Sequence, residues 1–330
     1  MEGMWHLEVQ VIRWVQGLGA WLLLPMQVLS FMGTVEFYLA FMPAVYWCWD
    51  AVLGLRLGWM LMISAGLNEA LKLAFHRPRP YWILSHGMEV HASSADVSFA
   101  LPSGHAQNTL SLWGLVAASR KRRAAWAAAL ALAFLIGISR IYLGVHSPAD
   151  ILAGWAVGAL VLVVFLRCQA AVADFVSVQS FREKVVDSLA LSFGLLALSG
   201  LARARLANWE LPAAWAETAY TQAGVAVAPL TLQNAVDLAG MLLGMGTGAA
   251  WLAERGGFLA RGPATKRLVR YLVGLSGVLV LWVGSKALLP HGESLLILAF
   301  RYARSVMIGG WVSGVAPALF VRLRLAERKG

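Results

Sequence analysis

Apolar residues run along this chain in stretches near the length a helix needs to cross a bilayer, about 20 residues. They do not alternate with polar residues as in a half-buried strand. Such stretches predict ten spans, at 14–31, 35–50, 55–74, 103–119, 124–143, 150–168, 186–205, 230–252, 269–289 and 295–320, separated by short joints holding charges, glycines or prolines. Helices are the expected elements because they satisfy their own backbone hydrogen bonds in lipid. The first span is the weakest, since Arg13, Gln16 and Gln27 fit a helix lying in the interface as well as one that crosses it. The fold class expected is an all-α integral membrane protein, a polytopic helical bundle.

Composition strengthens that picture. Of 330 residues, 59% are hydrophobic and 13% charged, against roughly a quarter charged in soluble domains. The net charge of +10 raises nucleic acid as a partner, but the bases sit at the ends of apolar runs and form no aromatic-interleaved basic domain. Nucleic acid is set aside. Only Cys48 and Cys168 are present, which gives neither a disulfide framework nor a thiolate metal cage. No short apolar core with a small-residue cleavage site follows the first residues, so the mature N-terminus is expected at or close to Met1.

Arg120, Lys121, Arg122 and Arg123 form a basic joint suited to a tight cytoplasmic turn. Counting outward from it puts Arg182 and Lys184, the cluster from Arg255 to Arg270, and Arg322 to Lys329 on the same cytoplasmic side. Arg203 and Arg205 dissent mildly. The count brings residues 76–102 and the joint around His146 together on the outer face, and the polar residues concentrate in those two loops. Residues 1–168 hold all the recognisable chemistry and are read as one domain. Residues 169–330 are read as an additional transmembrane region of unknown role. Gly240 and Gly244 there have the spacing of close helix packing, a spacing also expected by chance among 32 glycines.

Three segments carry the chemistry. Lys72 to Pro80, with Arg77, Arg79 and two prolines, makes a stiff cationic rim. Pro102-Ser103-Gly104-His105 lies where a polar loop turns into an apolar helix; Ser103 suits an N-cap, Gly104 admits a ligand to the backbone, and the helix start attracts anions. In Ser139 to Asp150, Ser147 can be the cap and Pro148 the first helical residue, so Asp150 at the third position can support the helix start. The same turn lets Asp150 fold back and hold one ring nitrogen of His146, leaving the other to attack.

Together these segments resemble the three signature motifs of the type 2 phosphatidic acid phosphatase superfamily, which includes lipid phosphate phosphatases, glucose-6-phosphatase and vanadium haloperoxidases. The diagnostic positions match: Lys72 and then, after six residues, Arg79-Pro80; Pro102-Ser103-Gly104-His105; and Ser139-Arg140, five residues, His146, three residues, Asp150. The resemblance covers about residues 35–168, a six-helix phosphatase core if the first span counts, with about four additional C-terminal helices beyond it.

The resemblance implies that Lys72, Arg79 and Arg140 grip phosphate oxygens, helped by the Ser103 hydroxyl and the Gly104 N–H. Fixed guanidinium forks suit phosphoryl transfer, which is mostly positioning and charge stabilisation. It implies His146 as nucleophile, Asp150 as the acid that orients it, and His105 as the group that protonates the leaving oxygen and then activates water. No cofactor and no metal are expected. His76, His86 and His91 match no familiar zinc spacing and read as surface histidines; Arg77 reads as rim charge, and Tyr81, Trp82 and Ile83 as an interfacial anchor or the wall of a lipid entry gap. Arg301 and Arg304 lie inside an apolar run and call for a partner such as Asp237 or Glu293, unless the span starts later and leaves both at the outer boundary.

The function expected is a metal-independent membrane phosphatase acting on a phosphomonoester or diphosphate of a lipid-type substrate, with membrane lipids around it and the oligomeric state open. A lipid transporter or scramblase that keeps the phosphate cradle, and a phosphatase of a water-soluble phosphoester, are the alternatives. The Ala/Leu/Arg-rich style suggests a bacterial inner membrane with the site on the periplasmic or extracellular side.

Overall fold

The computed structural model describes residues 2–84, 88–285 and 292–329. Among them all regular structure is helical: α1 (Glu2–Gln16), α2 (Leu23–Phe31), α3 (Val35–Cys48), α4 (Ala51–Phe75), the short α5 (Pro80–Ile83), α6 (Gly104–Arg120), α7 (Arg123–Tyr142), α8 (Pro148–Ser177), α9 (Phe181–Ala204), α10 (Ala213–Ala223), α11 (Gln233–Ala253), α12 (Ala264–Leu279), α13 (Leu295–Gly310) and α14 (Ala316–Arg322). The all-α membrane class expected from the sequence holds, but the count of ten spans does not. Seven of the described helical stretches are long and apolar enough to cross a membrane. At 14 and 17 residues, α3 and α6 are short for a crossing, and α1 and α2 are bent by 83° against each other. The bend falls at Gly19, whose φ of +115° only glycine adopts readily. Hydropathy registers how apolar a stretch is and not where its backbone breaks.

The chain forms two compact units that interleave along the sequence. The first comprises Met1–Phe37, Leu67–Val164 and Ser199–Thr231, and contains all three motifs. Within it α6 and α7 form an antiparallel hairpin whose turn, Arg120 to Arg123, is exposed. Lys121 closes α6 in the left-handed conformation. Against α6 lies α8, where Gly154 and Gly158 admit the backbone of Ser103 and Gln107 so closely that a Cβ at either would collide. The outward faces of α7 and α8 present Leu130, Phe134, Leu152 and Leu160, as suits helices whose solvent is lipid.

The second unit comprises Tyr38–Gly66, Phe165–Leu198 and Leu232–Gly330. Its seam runs between α11 and α13, where Gly240 and Gly244 lie against the carbonyls of Tyr302 and Val306, so the small-residue spacing serves close packing here. Trp47 is fully buried against Phe320 and donates its indole N–H to Val312. Arg301 and Arg304 both ion-pair with Asp237, which also accepts from Ser305 at 2.9 Å. Arg270, read as one of the cytoplasmic bases, is fully buried and donates to the carbonyls of Leu259 and Ala260. It ties down the loop before α12 as well as adding charge.

Candidate active site

The last turn of α4 carries Asn68 and Lys72 on one face. After His76, which takes a positive φ of 38°, the prolines 78 and 80 prevent the helix from continuing. The chain turns back and Arg79 enters the interior as the residue before α5. It is fully buried and donates to the carbonyls of Ser98 (2.7 Å) and Val145 (3.1 Å), to Asp96 (2.8 Å), and toward Nε2 of His146 (3.2 Å). One guanidinium thereby ties the first motif to the third. Lys72, also buried, donates to the Ser98 hydroxyl at 2.9 Å and stands 3.8 Å from Asp96.

The second motif sits directly beneath. Ser103 precedes α6 at its cap position, as expected, but its hydroxyl caps nothing. Fully buried, it has no hydrogen-bond partner among the described residues, and the same is true of Nε2 of His105. The Ser103 N–H donates to the Asp150 carbonyl at 2.9 Å, which locks the second motif to the third. A Cβ at Gly104 would come within 2.9 Å of Asn68 Oδ1. Asn68 in turn donates to Gln107 and to the Pro102 carbonyl, so the helix start is braced by α4.

In the third motif Gly144 has a φ of +74° and the Glu89 carbonyl pressed against its Cα, a place no side chain fits. The chain then reverses into α8 through a reciprocal cap: the Ser147 N–H donates to Asp150 Oδ2 at 2.8 Å, and the Asp150 N–H to Ser147 Oγ at 3.4 Å. Asp150 is fully buried with its Oδ2 3.4 Å from Nδ1 of His146. The carboxylate therefore faces the nitrogen it was expected to face, at the long end of contact, while its firmest bond goes to the backbone. Nε2 points the other way, toward Arg79. Burial first, and the Arg79 guanidinium second, push the His146 ring well below the ordinary histidine range, so it is neutral at pH 7. Arg140, projecting from the end of α7, donates to Ser30 Oγ (2.5 Å) and the Ser94 carbonyl (3.0 Å).

Lys72, Arg79, Ser103, Gly104, His105, Arg140, His146 and Asp150 thus all lie in the first unit, where Lys72 and Arg79 share Ser98, Arg79 reaches His146, and Asp150 meets both His146 and the Ser103 N–H. Residues 53–174 match the model of the PAP2 superfamily, and residues 236–328 that of the PAP2 superfamily phosphatase, transmembrane extension. These two stretches are similar to the PAP2 superfamily domain and to its transmembrane extension. Lipid phosphate phosphatase delta of Arabidopsis thaliana is 29% identical over 45% of this chain and 39% of its own length. Phosphatidylglycerophosphatase B of Bacillus subtilis is 33% identical over 34% of this chain and 54% of its own. Lipid A 1-phosphatase of Rhizobium johnstonii is 31% identical over 46% of this chain and 65% of its own. The chain therefore spans about half the length, or less, of the first two of these relatives.

Several residues around the PAP2 motifs escaped the sequence reading. Asp96 pairs with both Arg79 and Lys72. Burial would raise its carboxyl, but the Arg79 and Lys72 charges and the Ser98 N–H outweigh that and hold it well below the usual carboxylate range. Gly33, at the end of α2, gives room to the His105 ring. Tyr81 and Trp82 are fully buried and anchor no interface: the Tyr81 hydroxyl bonds the Asp96 backbone, and Trp82 packs on Phe99 and Trp215. The segment after α9 supplies Trp209 and Trp215 to that aromatic cluster. Arg77 is no rim charge; it turns inward to Asp150 and Glu8. His76 is exposed and His91 stacks on Tyr142, while His86 lies outside the described residues.

Proposed function

We propose that this chain is a membrane phosphatase that releases phosphate from a lipid-type phosphomonoester or diphosphate through a phosphohistidine on His146. The observation that carries the reading is the buried His146, with Asp150 beside one ring nitrogen and Arg79 beside the other. Nε2 attacks phosphorus in line, and the same Arg79 that faces this nitrogen steadies the equatorial oxygens. Lys72, Arg140, the Ser103 hydroxyl and the N–H of Gly104, which as a first helical residue has no intrahelical acceptor, supply the remaining donors. The buried hydroxyl of Ser103 and Nε2 of His105 gain partners when a phosphoryl group lies among these donors. His105, which the negative charge of a bound phosphoryl group favours in its protonated form, gives that proton to the departing alkoxide, then takes one back from the water that cleaves the N–P bond, and inorganic phosphate leaves.

The apolar surroundings and the lipid phosphatases among its relatives support an amphiphilic substrate. The basic joints support a cytoplasmic side away from the site, with the chemistry on the periplasmic or extracellular face of a bacterial inner membrane. The test is phosphate release by purified protein from a panel of phosphatidate, phosphatidylglycerol phosphate, a sphingoid phosphate, an isoprenyl diphosphate and a soluble sugar phosphate. Acid-labile label on the protein is expected, as is loss of turnover in His146→Ala. Full activity in that variant would sink the mechanism.

A further inference from the structure

Glu8 is a glutamate that α1 buries, with 6% of its surface exposed. The other side of α1 presents Leu7, Val11 and Trp14 outward, so the helix turns an apolar face away from the unit and a single carboxylate into it. An ionised carboxylate taken from water is costly unless paired. Glu8 has two partners: Arg77 Nη2 at 2.5 Å and the Ser147 hydroxyl at 3.3 Å.

Arg77 in turn reaches Asp150 Oδ1 at 3.3 Å and Ser147 Oγ at 3.3 Å through its other terminal nitrogen, and its guanidinium lies 4.4 Å from the Trp5 ring centroid. The fork is therefore held at one end by α1 and closes at the other on the two residues that form the cap of α8. Glu8 lies outside all three motifs, and Arg77 lies within the first but at none of its diagnostic positions. Their charges and that of Asp150 give one cation between two carboxylates, a net negative group beside His146.

We infer that Glu8 and Arg77 are positioning residues, through which α1 fixes Asp150 and Ser147 and so the orientation and charge environment of His146. The inference rests on the function proposed above. His146 is faced by Asp150 from α8, Arg79 and Lys72 from the first motif, Arg140 from α7 and His105 from α6; Arg77 and Glu8 act on it from behind Asp150. Removing the cation from this outer group favours the imidazolium, so the nucleophile is lost at a higher pH. Removing the outer carboxylate does the opposite.

The experiment compares Glu8→Gln, Arg77→Ala and Arg77→Lys with the wild-type enzyme in mixed micelles of short-chain phosphatidate, recording kcat, KM and the pH dependence of kcat/KM. In Arg77→Ala, kcat is expected to fall by about tenfold or more, KM to change little, and the acid limb to move up by about half a pH unit. Glu8→Gln is nearly isosteric; a smaller fall in kcat is expected, with the limb moving down. Arg77→Lys is expected to restore the position of the limb but not the whole of kcat, because an ammonium cannot bridge as the fork does. Unchanged kcat and pH profile in Glu8→Gln and Arg77→Lys, or limbs that move in the same direction in Glu8→Gln and Arg77→Ala, would overturn the inference. Should Arg77→Ala fail to fold, Glu8→Gln and Arg77→Lys decide it alone. An active wild type with indifferent variants removes this inference only, whereas a wild type that releases no phosphate from any substrate of the panel removes the proposed function and this with it.

Discussion

Replacing Asp96 by Asn probes the electrostatics of the cradle. Its carboxylate is ion-paired to the fully buried Arg79 at 2.8 Å and stands 3.8 Å from Lys72. Breaking a buried pair costs about 3–5 kcal/mol. Because the Asp96 side chain is 36% exposed, water screens the pair and a loss of about 1–2 kcal/mol is expected. Arg79 keeps its place, since the carbonyls of Ser98 and Val145 still accept from it. A phosphate dianion hydrogen-bonded to Lys72 would lie about 6 to 7 Å from the Asp96 charge, where repulsion at an effective dielectric of about 20 is about 2.5 kcal/mol per unit charge. Discounted for the same exposure, about 1 kcal/mol remains, or about fivefold in affinity. The variant is thus expected to be less stable by itself and more strongly stabilised by anion, because phosphate takes over the role of the missing carboxylate. Thermal unfolding of purified protein with and without phosphate reads the first effect, and inhibition constants for vanadate read the second. A variant whose Tm rises with phosphate no more than that of the wild type would refute the reasoning.

The other predictions concern separate parts of the molecule. The fork of Arg79 serves Ser98, Asp96, Val145 and His146 together; Arg79→Lys is expected to lower kcat/KM at least tenfold more than Lys72→Arg, and comparable losses would count against this account. Gly144→Ala is expected to cost about 1–3 kcal/mol of stability through its left-handed backbone alone, with a further loss from collision with Glu89, read as a lowered Tm. Asp237→Asn leaves Arg301 and Arg304 without their carboxylate, so a loss of about 3–5 kcal/mol is expected in denaturant unfolding; an unchanged midpoint would mean the triad contributes nothing. With the His146 ring pushed below the ordinary histidine value, the nucleophile stays neutral as pH falls through that value, and the acid limb of kcat/KM is expected below about pH 6.5. A limb at or above that pH in the wild type contradicts the burial argument.

The chemistry that was legible in the sequence is the part written in short, fixed spacings. Ser147, Pro148 and Asp150 announce a capped helix start because capping is local, and the structure forms that cap. Lys72 and Arg79 announce a cation pair because two prolines limit where the chain can go. What stayed hidden depends on contacts between distant segments. Asp96 sits in an irregular loop with no periodicity to mark it, and Glu8 meets Ser147 from the far end of the unit. Tyr81 and Trp82 were misread because aromatic residues beside a span are ordinary at a lipid boundary; only the segment carrying Trp209 and Trp215, distant in sequence, makes them core. Arg270 looked like topological charge for the same reason, since a sequence shows the base but not the carbonyls of Leu259 and Ala260 that receive it.

The bond from the Ser103 N–H to the Asp150 carbonyl fixes both ends of the α6–α7 hairpin at the same level. With those ends pinned, the exposed turn at Arg120 to Arg123 is the one place where the hairpin can grow or shrink without moving a site residue. A helix rises about 1.5 Å per residue, so the 20 residues of α7 cover about 30 Å, the thickness of a bilayer's hydrocarbon layer. The length of α7 is therefore a gauge of the membrane this chain inhabits. A relative adapted to a thicker bilayer has to lengthen both arms by matched turns, because the turn joins them at one level.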